Sequence, residues 1–196
     1  VLVLAGGEGK RMGGEKPQRL LAGRPLLDFA LDAARRSGRQ IAIGVRSASQ
    51  LALRNDAVLV LDEAEIPGPL ASLAAGLKWA AANGAEQLQT FPCDAPFLPY
   101  DLSDRLDRRM ALAAAPVALP ASGGRLHPAC ALWSVSVLSS LSAYLATGRR
   151  SLMGLAEYAG FAIEDWGAPE RDPFFNVNTQ ENLCTAERWL DQPHLE

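Results

Sequence analysis

The sequence predicts an α/β protein in which a mostly parallel sheet with one antiparallel strand lies between two layers of helices. Three observations predict it. Apolar strand-like runs alternate with segments of helical periodicity through the first half of the chain, the signature of right-handed β-α-β units. One of those runs, Ala57 to Leu61, is continuously apolar, as expected of a strand covered on both faces. The second half contains a strand–turn–strand pattern around Ser122-Gly123-Gly124, which calls for an antiparallel strand or hairpin.

The elements follow in order. Val1 to Leu4 reads as a short buried strand and runs into the loop Gly6–Lys16. Leu26, Leu27, Ala30, Leu31 and Ala34 recur at helical spacing after Pro25, and Gly38 is a stop for that helix. Gln40 to Val45 is a second strand, Ser47 to Asn55 is ambiguous or a short helix, and Ala57 to Leu61 is a third strand. Pro69 suits the first turn of a helix, where its missing N–H costs little, and Asn83-Gly84 closes it. Glu86 to Phe91 is a fourth strand. Pro92 to Asp101 is irregular because it contains three prolines. A helix covers Leu102 to Leu112, Pro116 to Pro120 is strand, and Pro128 to Trp133 is strand again. Helices follow at Val135 to Ala146 and Ser151 to Tyr158, then a late strand at Phe161 to Trp166. Asn178-Thr179-Gln180-Glu181 offers a capping residue and an early acid for a last helix to about Leu190. The result is a Rossmann-like three-layer α/β/α sandwich, read as one domain over residues 1–196.

Composition narrows the function classes. With 48% hydrophobic and 21% charged residues, the chain matches ordinary globular proteins. A net charge of -3 gives no global basic field for nucleic acid or an anionic membrane, so an anionic ligand must be gripped locally. No apolar run approaches the ~20 residues of a membrane span. The opening VLVLA is shorter than a signal-peptide core and has no basic residues before it. The chain opens on Val1 rather than Met, so a few earlier residues are expected outside this numbering. Cys93, Cys130 and Cys184 are odd in number and lack metal spacing, which argues for free thiols in a reducing cytoplasm.

In open α/β sheets ligands bind beyond the carboxyl ends of the strands. Three polar features fall there. The loop GGEGKRMGGEK carries five glycines with Lys10, Arg11 and Lys16. It is either a slack connection or a cradle in which backbone N–H groups and cations close on phosphates. It is neither a Walker A motif nor a dinucleotide fingerprint, since Met12 stands where the third glycine is required after Gly7 and Gly9. Asp62 follows the third strand and either meets a base or sugar, serves a metal's outer shell, or favours the helix that begins at Pro69. Asp94, between Pro92 and Pro96, either orders its turn or holds Mg²⁺, which takes few protein ligands.

Late features complete the set. Alternation places Asn176 and Asn178 on one face opposite Val177; capping explains Asn178, whereas Asn176 has no such local reason. His127 is either a ligand contact and general base or a hydrogen-bonded strand-end residue. Arg149 and Arg150 either meet a second anionic substrate or sit in a solvated turn. Cys93 reads as a small buried hydrophobe.

Together LAGGEGKRMGGEKP (4–17), PGPLASL (67–73), FPCDAPFLPYDL (91–102), LHPACALW (126–133), YLATGRRSLMGL (144–155) and FFNVNTQENL (174–183) resemble the molybdenum cofactor guanylyltransferases. The first segment alone resembles many nucleotidyltransferases; the PCD, HP, GRR and NVNT segments together are more specific. The resemblance implies transfer of GMP from GTP to molybdopterin with release of pyrophosphate, dependent on Mg²⁺. It implies that Leu4, Ala5, Gly6 and Gly7 touch the nucleotide, that Lys16 and Arg11 meet phosphates, that Asp62 binds the nucleotide and that Asp94 binds Mg²⁺. Arg11, Lys16 and Asp94 would then carry catalysis. Asn176, Asn178, His127 and Arg150 become candidates for the metal or acceptor side. One departure stands out: some members carry a nucleotide-contacting asparagine where this chain has Gly44, so that contact is missing or Arg46 or Ser47 replaces it.

The expected partners are GTP and molybdopterin, with transient contact to molybdoenzymes or other cofactor-assembly proteins. No nucleic acid or membrane partner is expected, and the location is cytoplasmic. Two alternatives remain open. One is the same chemistry with CTP or with a sugar phosphate or other acceptor; the other is a non-catalytic nucleotide or molybdopterin carrier.

Overall fold

A computed structural model of the chain describes residues 1–6, 16–37, 39–51 and 57–192. Ten strands and six α-helices occur among them: β1 (Leu2–Leu4), β2 (Leu20–Leu21), β3 (Arg24–Pro25), α1 (Leu26–Arg36), β4 (Ala42–Val45), β5 (Val58–Leu61), α2 (Pro69–Ala82), β6 (Gln87–Pro92), α3 (Leu102–Ala113), β7 (Val117–Ser122), β8 (Arg125–Leu126), β9 (Leu132–Ser134), α4 (Leu138–Ala146), α5 (Leu152–Ala159), β10 (Ala162–Asp165) and α6 (Gln180–Asp191). Strands β2 and β3 form a small separate ribbon.

The main sheet runs in the order β10-β7-β9-β6-β1-β4-β5, with β8 added to β7 as a hairpin. β6, β1, β4 and β5 are mutually parallel, and so are β10 and β7. β9 alone in this order runs antiparallel to both of its neighbours, β6 and β7. The expectation of a mostly parallel sheet with an antiparallel strand therefore holds.

Side-chain alternation divides the core. Val1, Val3 and Ala5 face one side of β1, where they pack with Leu27 and Leu31 of α1 and Leu102 and Leu106 of α3. Leu2 and Leu4 face the other side, with Leu70, Leu73 and Leu77 of α2, Leu141 of α4 and Leu155 of α5. These are the two helical layers. α6 covers the β2–β3 ribbon through Leu183 and Ala186, which pack with Leu21, Leu26 and Val177. No helix among the described residues is long and apolar enough to cross a membrane.

α2 fits the sheet closely. Pro69 starts it, and Gly84, at φ 70°, supplies the left-handed conformation after its end. A Cβ on Gly76 would lie 2.4 Å from Leu2 Cδ2 and 3.0 Å from Leu88 Cδ2. The Leu2 and Leu88 side chains thus fill the space against the helix at Gly76, and a larger residue there must displace them. Gly76→Val is expected to lower stability by ~2 kcal/mol through overpacking. Denaturant unfolding followed by circular dichroism checks this; an unchanged midpoint would refute the close-approach argument.

Four local expectations are corrected. Ala57 to Leu61 is not covered on both faces: β5 ends the sheet order, and Val58 and Leu61 are 51% and 55% exposed. Its apolar composition resembles a central strand, but its place at the sheet's end leaves it less covered. Pro128 to Trp133 is not one strand, because Pro128–Cys130 forms a 3-10 turn and pairing starts at Leu132. Pro128 has no N–H to give a ladder. The helix expected from Val135 begins as a 3-10 turn, Val135–Val137, before α4. The last helix is capped by Thr179, whose hydroxyl accepts from the Asn182 N–H, rather than by Asn178.

Candidate nucleotide site at the carboxyl edge of the sheet

Parallel pairing brings the carboxyl ends of β1, β4, β5 and β6 to one edge. Leu4 is in register with Gly44 on one side and Pro92 on the other, and Gly44 is in register with Val60. The residues that follow each strand, Ala5-Gly6, Asp62 and Cys93-Asp94, therefore gather there.

The backbone of β1 is already engaged at this edge. The Ala5 N–H donates to the Gly44 carbonyl at 3.1 Å, and the Cys93 N–H donates to the Leu4 carbonyl at 3.3 Å. Gln50 Nε2 donates to the Ala5 carbonyl at 2.9 Å. A carbonyl has two lone pairs, so Leu4 and Ala5 each keep one acceptor position. The Ala5 N–H belongs to the sheet.

Asp62 closes over this edge. Its N–H donates to Val45 at 2.8 Å, which continues the sheet pattern past β5. Its carboxylate lies against Gly6: a Cβ there would be 2.3 Å from Asp62 Oδ2. The Ser72 hydroxyl, in the first turn of α2, donates to Asp62 Oδ1. Burial pushes the Asp62 carboxyl above its ordinary range, while the Ser72 hydrogen bond and the charge of Arg46 pull it down. A cavity of about 330 Å³ opens beside it, lined by Arg46, Asp62, Glu63, Ile66, Pro67 and Gly68 among others.

Asp94 is buried, at 6% exposure. Its carbonyl accepts from the Val177 N–H at 2.9 Å, which fastens the Asn176–Asn178 segment to the end of β6. Val177 is fully buried and Asn178 exposed. The two asparagines are unlike each other: Asn178 lies beside the start of α6, where its N–H donates to Asn182 Oδ1 at 3.1 Å. Asn176 Oδ1 is buried with no hydrogen-bond partner among the described residues.

Neighbouring side chains hold this wall. Ser122 Oγ donates to Asp172 Oδ1 at 2.7 Å and lies 2.8 Å from His127 Nε2. With its one proton directed to Asp172, Ser122 accepts from His127, which calls for the Nε2–H tautomer. Asp172 Oδ1 also accepts from the Phe174 N–H at 2.9 Å, and the His127 ring stacks on Phe174 at 4.7 Å. Burial lowers the His127 pKa and Arg125 adds to that, against Asp172, which raises it. His127 is thereby tied through Ser122 and Phe174 to the segment that leads to Asn176. Asp94 and Asp172 both add to the burial that pushes the Cys130 thiol well up, so that thiol stays protonated. Cys93 is buried as a small hydrophobe.

The structure does not gather every candidate. Arg150 Nη1 donates to the Leu145 and Arg149 carbonyls at 2.6 and 2.7 Å, capping the end of α4. Among the described residues, none of its hydrogen bonds reaches Asp62, Asp94 or Asn176. Arg149 pairs with Glu157. Gly7 and Arg11 lie outside the described residues; of Lys16 only the backbone is described, at the start of a 3-10 turn, Lys16–Gln18. Sequence reasoning missed Ser72, Gln50, Ser122 and Asp172. Ser72 alone left a trace, as a lone hydroxyl in the apolar stretch PLASLAAGL.

Known proteins resemble the chain in both sequence and structure. The family described as MobA-like NTP transferase domain matches residues 1–160. A molybdenum cofactor guanylyltransferase of Cereibacter sphaeroides is 40% identical over 190 residues, covering 96% of this chain and 95% of that protein. One from Acidiphilium cryptum is 40% identical over 191 residues, covering 95% and 92%. In structure, molybdopterin-guanine dinucleotide biosynthesis protein A from Archaeoglobus fulgidus is similar with a TM-score of 0.78 and 24% identity, covering 97% of each chain. A 4-diphosphocytidyl-2C-methyl-D-erythritol synthase from Anaerococcus prevotii shares the fold with a TM-score of 0.74 and 16% identity, over 97% of this chain and 95% of that one.

Proposed function

Because the chain belongs to the MobA-like NTP transferase family, we propose that it is a molybdenum cofactor guanylyltransferase that transfers GMP from GTP to molybdopterin and releases pyrophosphate. One observation carries the reading at the level of the site. Asp62 over Gly6, and Asp94 tied to the Asn176 segment, converge on the carboxyl edge of four parallel strands. That is where open α/β sheets bind nucleotides.

The edge supports guanine by its polarity. With the Ala5 N–H held by Gly44, the Leu4 and Ala5 carbonyls and the Asp62 carboxylate stand at this edge as acceptors. The N1–H and N2–H₂ edge of guanine is a row of donors. Leu4, Ala5, Gly6 and Asp62 would hold the nucleoside, with Gly7, Arg11 and Lys16 at the phosphates.

The residues fit Mg²⁺. Asp94 is a buried carboxylate, and the unpartnered Asn176 Oδ1 is a hard oxygen donor on the segment fastened to it. These two would hold the ion, with Asn178 a further candidate on the same segment. When bound, it supplies charge neutralisation at the reacting phosphates. The chain's own part is placement. A terminal phosphate oxygen of molybdopterin attacks the α-phosphorus of GTP, the bond to the α–β bridging oxygen breaks, and pyrophosphate leaves with that oxygen. The attacking monoester is already anionic, so no general base is required. His127 is given no proton transfer in this scheme. Arg11 and Lys16 would stabilise charge on the departing pyrophosphate.

The same proposal reads residues 1–196 as one nucleotidyltransferase domain working in the cytoplasm. Its small-molecule partners are GTP and molybdopterin, and its product passes on through transient contact with molybdoenzymes or other assembly proteins.

Thermal melting with GTP, CTP, ATP or UTP and Mg²⁺ tests the nucleotide. GTP at about 100 times its Kd should stabilise the fold by ~2.7 kcal/mol. Stabilisation by CTP alone overturns the guanylyl assignment. GTP binding without pyrophosphate release in the presence of molybdopterin would make the protein a carrier.

A further inference from the structure

We propose that Ser72 is a positioning residue of the nucleotide site: its hydroxyl, standing over Gly44, holds the Asp62 carboxylate so that Oδ2 is presented at Gly6. The proposal rests on the nucleotide reading above and adds the residue that aims the acid.

Ser72 is 2% exposed, on a helix whose other buried residues are leucine, alanine and glycine. A serine in a helix commonly bonds a carbonyl of its own preceding turn. This one reaches instead across to the end of β5 and donates to Asp62 Oδ1. Gly44 makes room for it. A Cβ at residue 44 would stand 3.0 Å from both Cβ and Oγ of Ser72, and 3.6 Å from Asp62 Oδ1. Positions 44 and 72 therefore share one volume, and in this chain the helix fills it.

The space left open at Gly44 is thus taken from the helix side. Ser47, one of the two replacements expected, has its hydroxyl 3.0 Å from Ser49 Oγ. Arg46, the other, acts on Asp62 through charge. Ser72 supplies the hydrogen bond from the opposite element. With Oδ1 held, Oδ2 stays directed at the Gly6 backbone, where it can accept from an N–H of the nucleoside. Without the hydroxyl the carboxylate can turn, and it must be ordered at each binding event.

Kinetics with GTP test the proposal. Ser72→Ala removes only the hydroxyl and should raise KM for GTP about tenfold, as expected for a hydrogen bond to a charged group, while kcat stays within about threefold. Gly44 does not have a positive φ, so serine is allowed there once residue 72 is cleared. The exchange Gly44→Ser with Ser72→Gly returns a hydroxyl from the strand side, within reach of Asp62 Oδ1. In protein shown by circular dichroism to be folded, the exchange should bring KM back to within about threefold of the parent. Gly44→Ser alone should be impaired by crowding. A parent-like KM in Ser72→Ala, or an exchange variant no better than Ser72→Gly, overturns the role of Ser72. If Asp62→Ala loses GTP while Ser72→Ala does not, the nucleotide reading stands and only this inference falls. If the parent protein fails to bind GTP, the nucleotide reading itself falls.

Discussion

Asp94→Ala is expected to reduce kcat for pyrophosphate release by ~10²–10³ at saturating GTP, molybdopterin and Mg²⁺, the loss typical when a group that stabilises charge in the transition state is removed. The fold should survive it. The bond that fastens Val177 to β6 uses the Asp94 backbone carbonyl, which the substitution keeps. Asp94→Asn should be nearly as inactive, since it retains the shape and loses the charge. Pyrophosphate release by stopped assay, beside a melting curve for each variant, reads both quantities. Activity above about a third of the parent would remove Asp94 from the metal site. The effect should fall on kcat, in contrast with Ser72→Ala, which moves KM.

Gly6→Ala is the second large effect. The added methyl would meet Asp62 Oδ2 at 2.3 Å and Asp62 Cγ at 3.2 Å, with Ser72 Oγ at 3.4 Å. The first distance is far inside contact, so the carboxylate must swing away and leave its bond to Ser72. Affinity for GTP should fall about 100-fold, the equivalent of losing one or two hydrogen bonds to a charged group. Stability should fall by ~1–2 kcal/mol from crowding. Combining Gly6→Ala with Asp62→Ala separates the two losses: the clash disappears and stability recovers, but the acceptor is gone and affinity does not. Isothermal titration with GTP and denaturant melts measure them side by side. An unchanged affinity in Gly6→Ala would show that the carboxylate does not work from its position over Gly6.

Asp62 and Asp94 are visible in the sequence because each follows a strand-like stretch, and residues that end parallel strands reach the binding edge of such sheets. Ser72 is not legible there because its meaning lies in a contact with Asp62 from another element and in the missing side chain of Gly44. The alternatives open for His127 and Arg150 were likewise local. Ser122, Asp172 and Phe174 bring His127 into the wall of the fold. The Leu145 carbonyl, in the last turn of α4, and the Arg149 carbonyl take up Arg150.

The sequence by itself determined the alternation of the main strands and helices, the break at Gly84, the irregular stretch that follows β6, and the family to which the chain is similar. Those properties follow from periodicity, glycine, proline and motif, which act over a few neighbouring residues. Only the tertiary structure decided that Ala57–Leu61 leads into a strand at the end of the sheet order, that β9 runs against its neighbours, and that Gly44 yields its space to Ser72. Each depends on which distant segments share one small volume. Burial and close packing settle that across the whole molecule at once, and no single stretch of chain carries it.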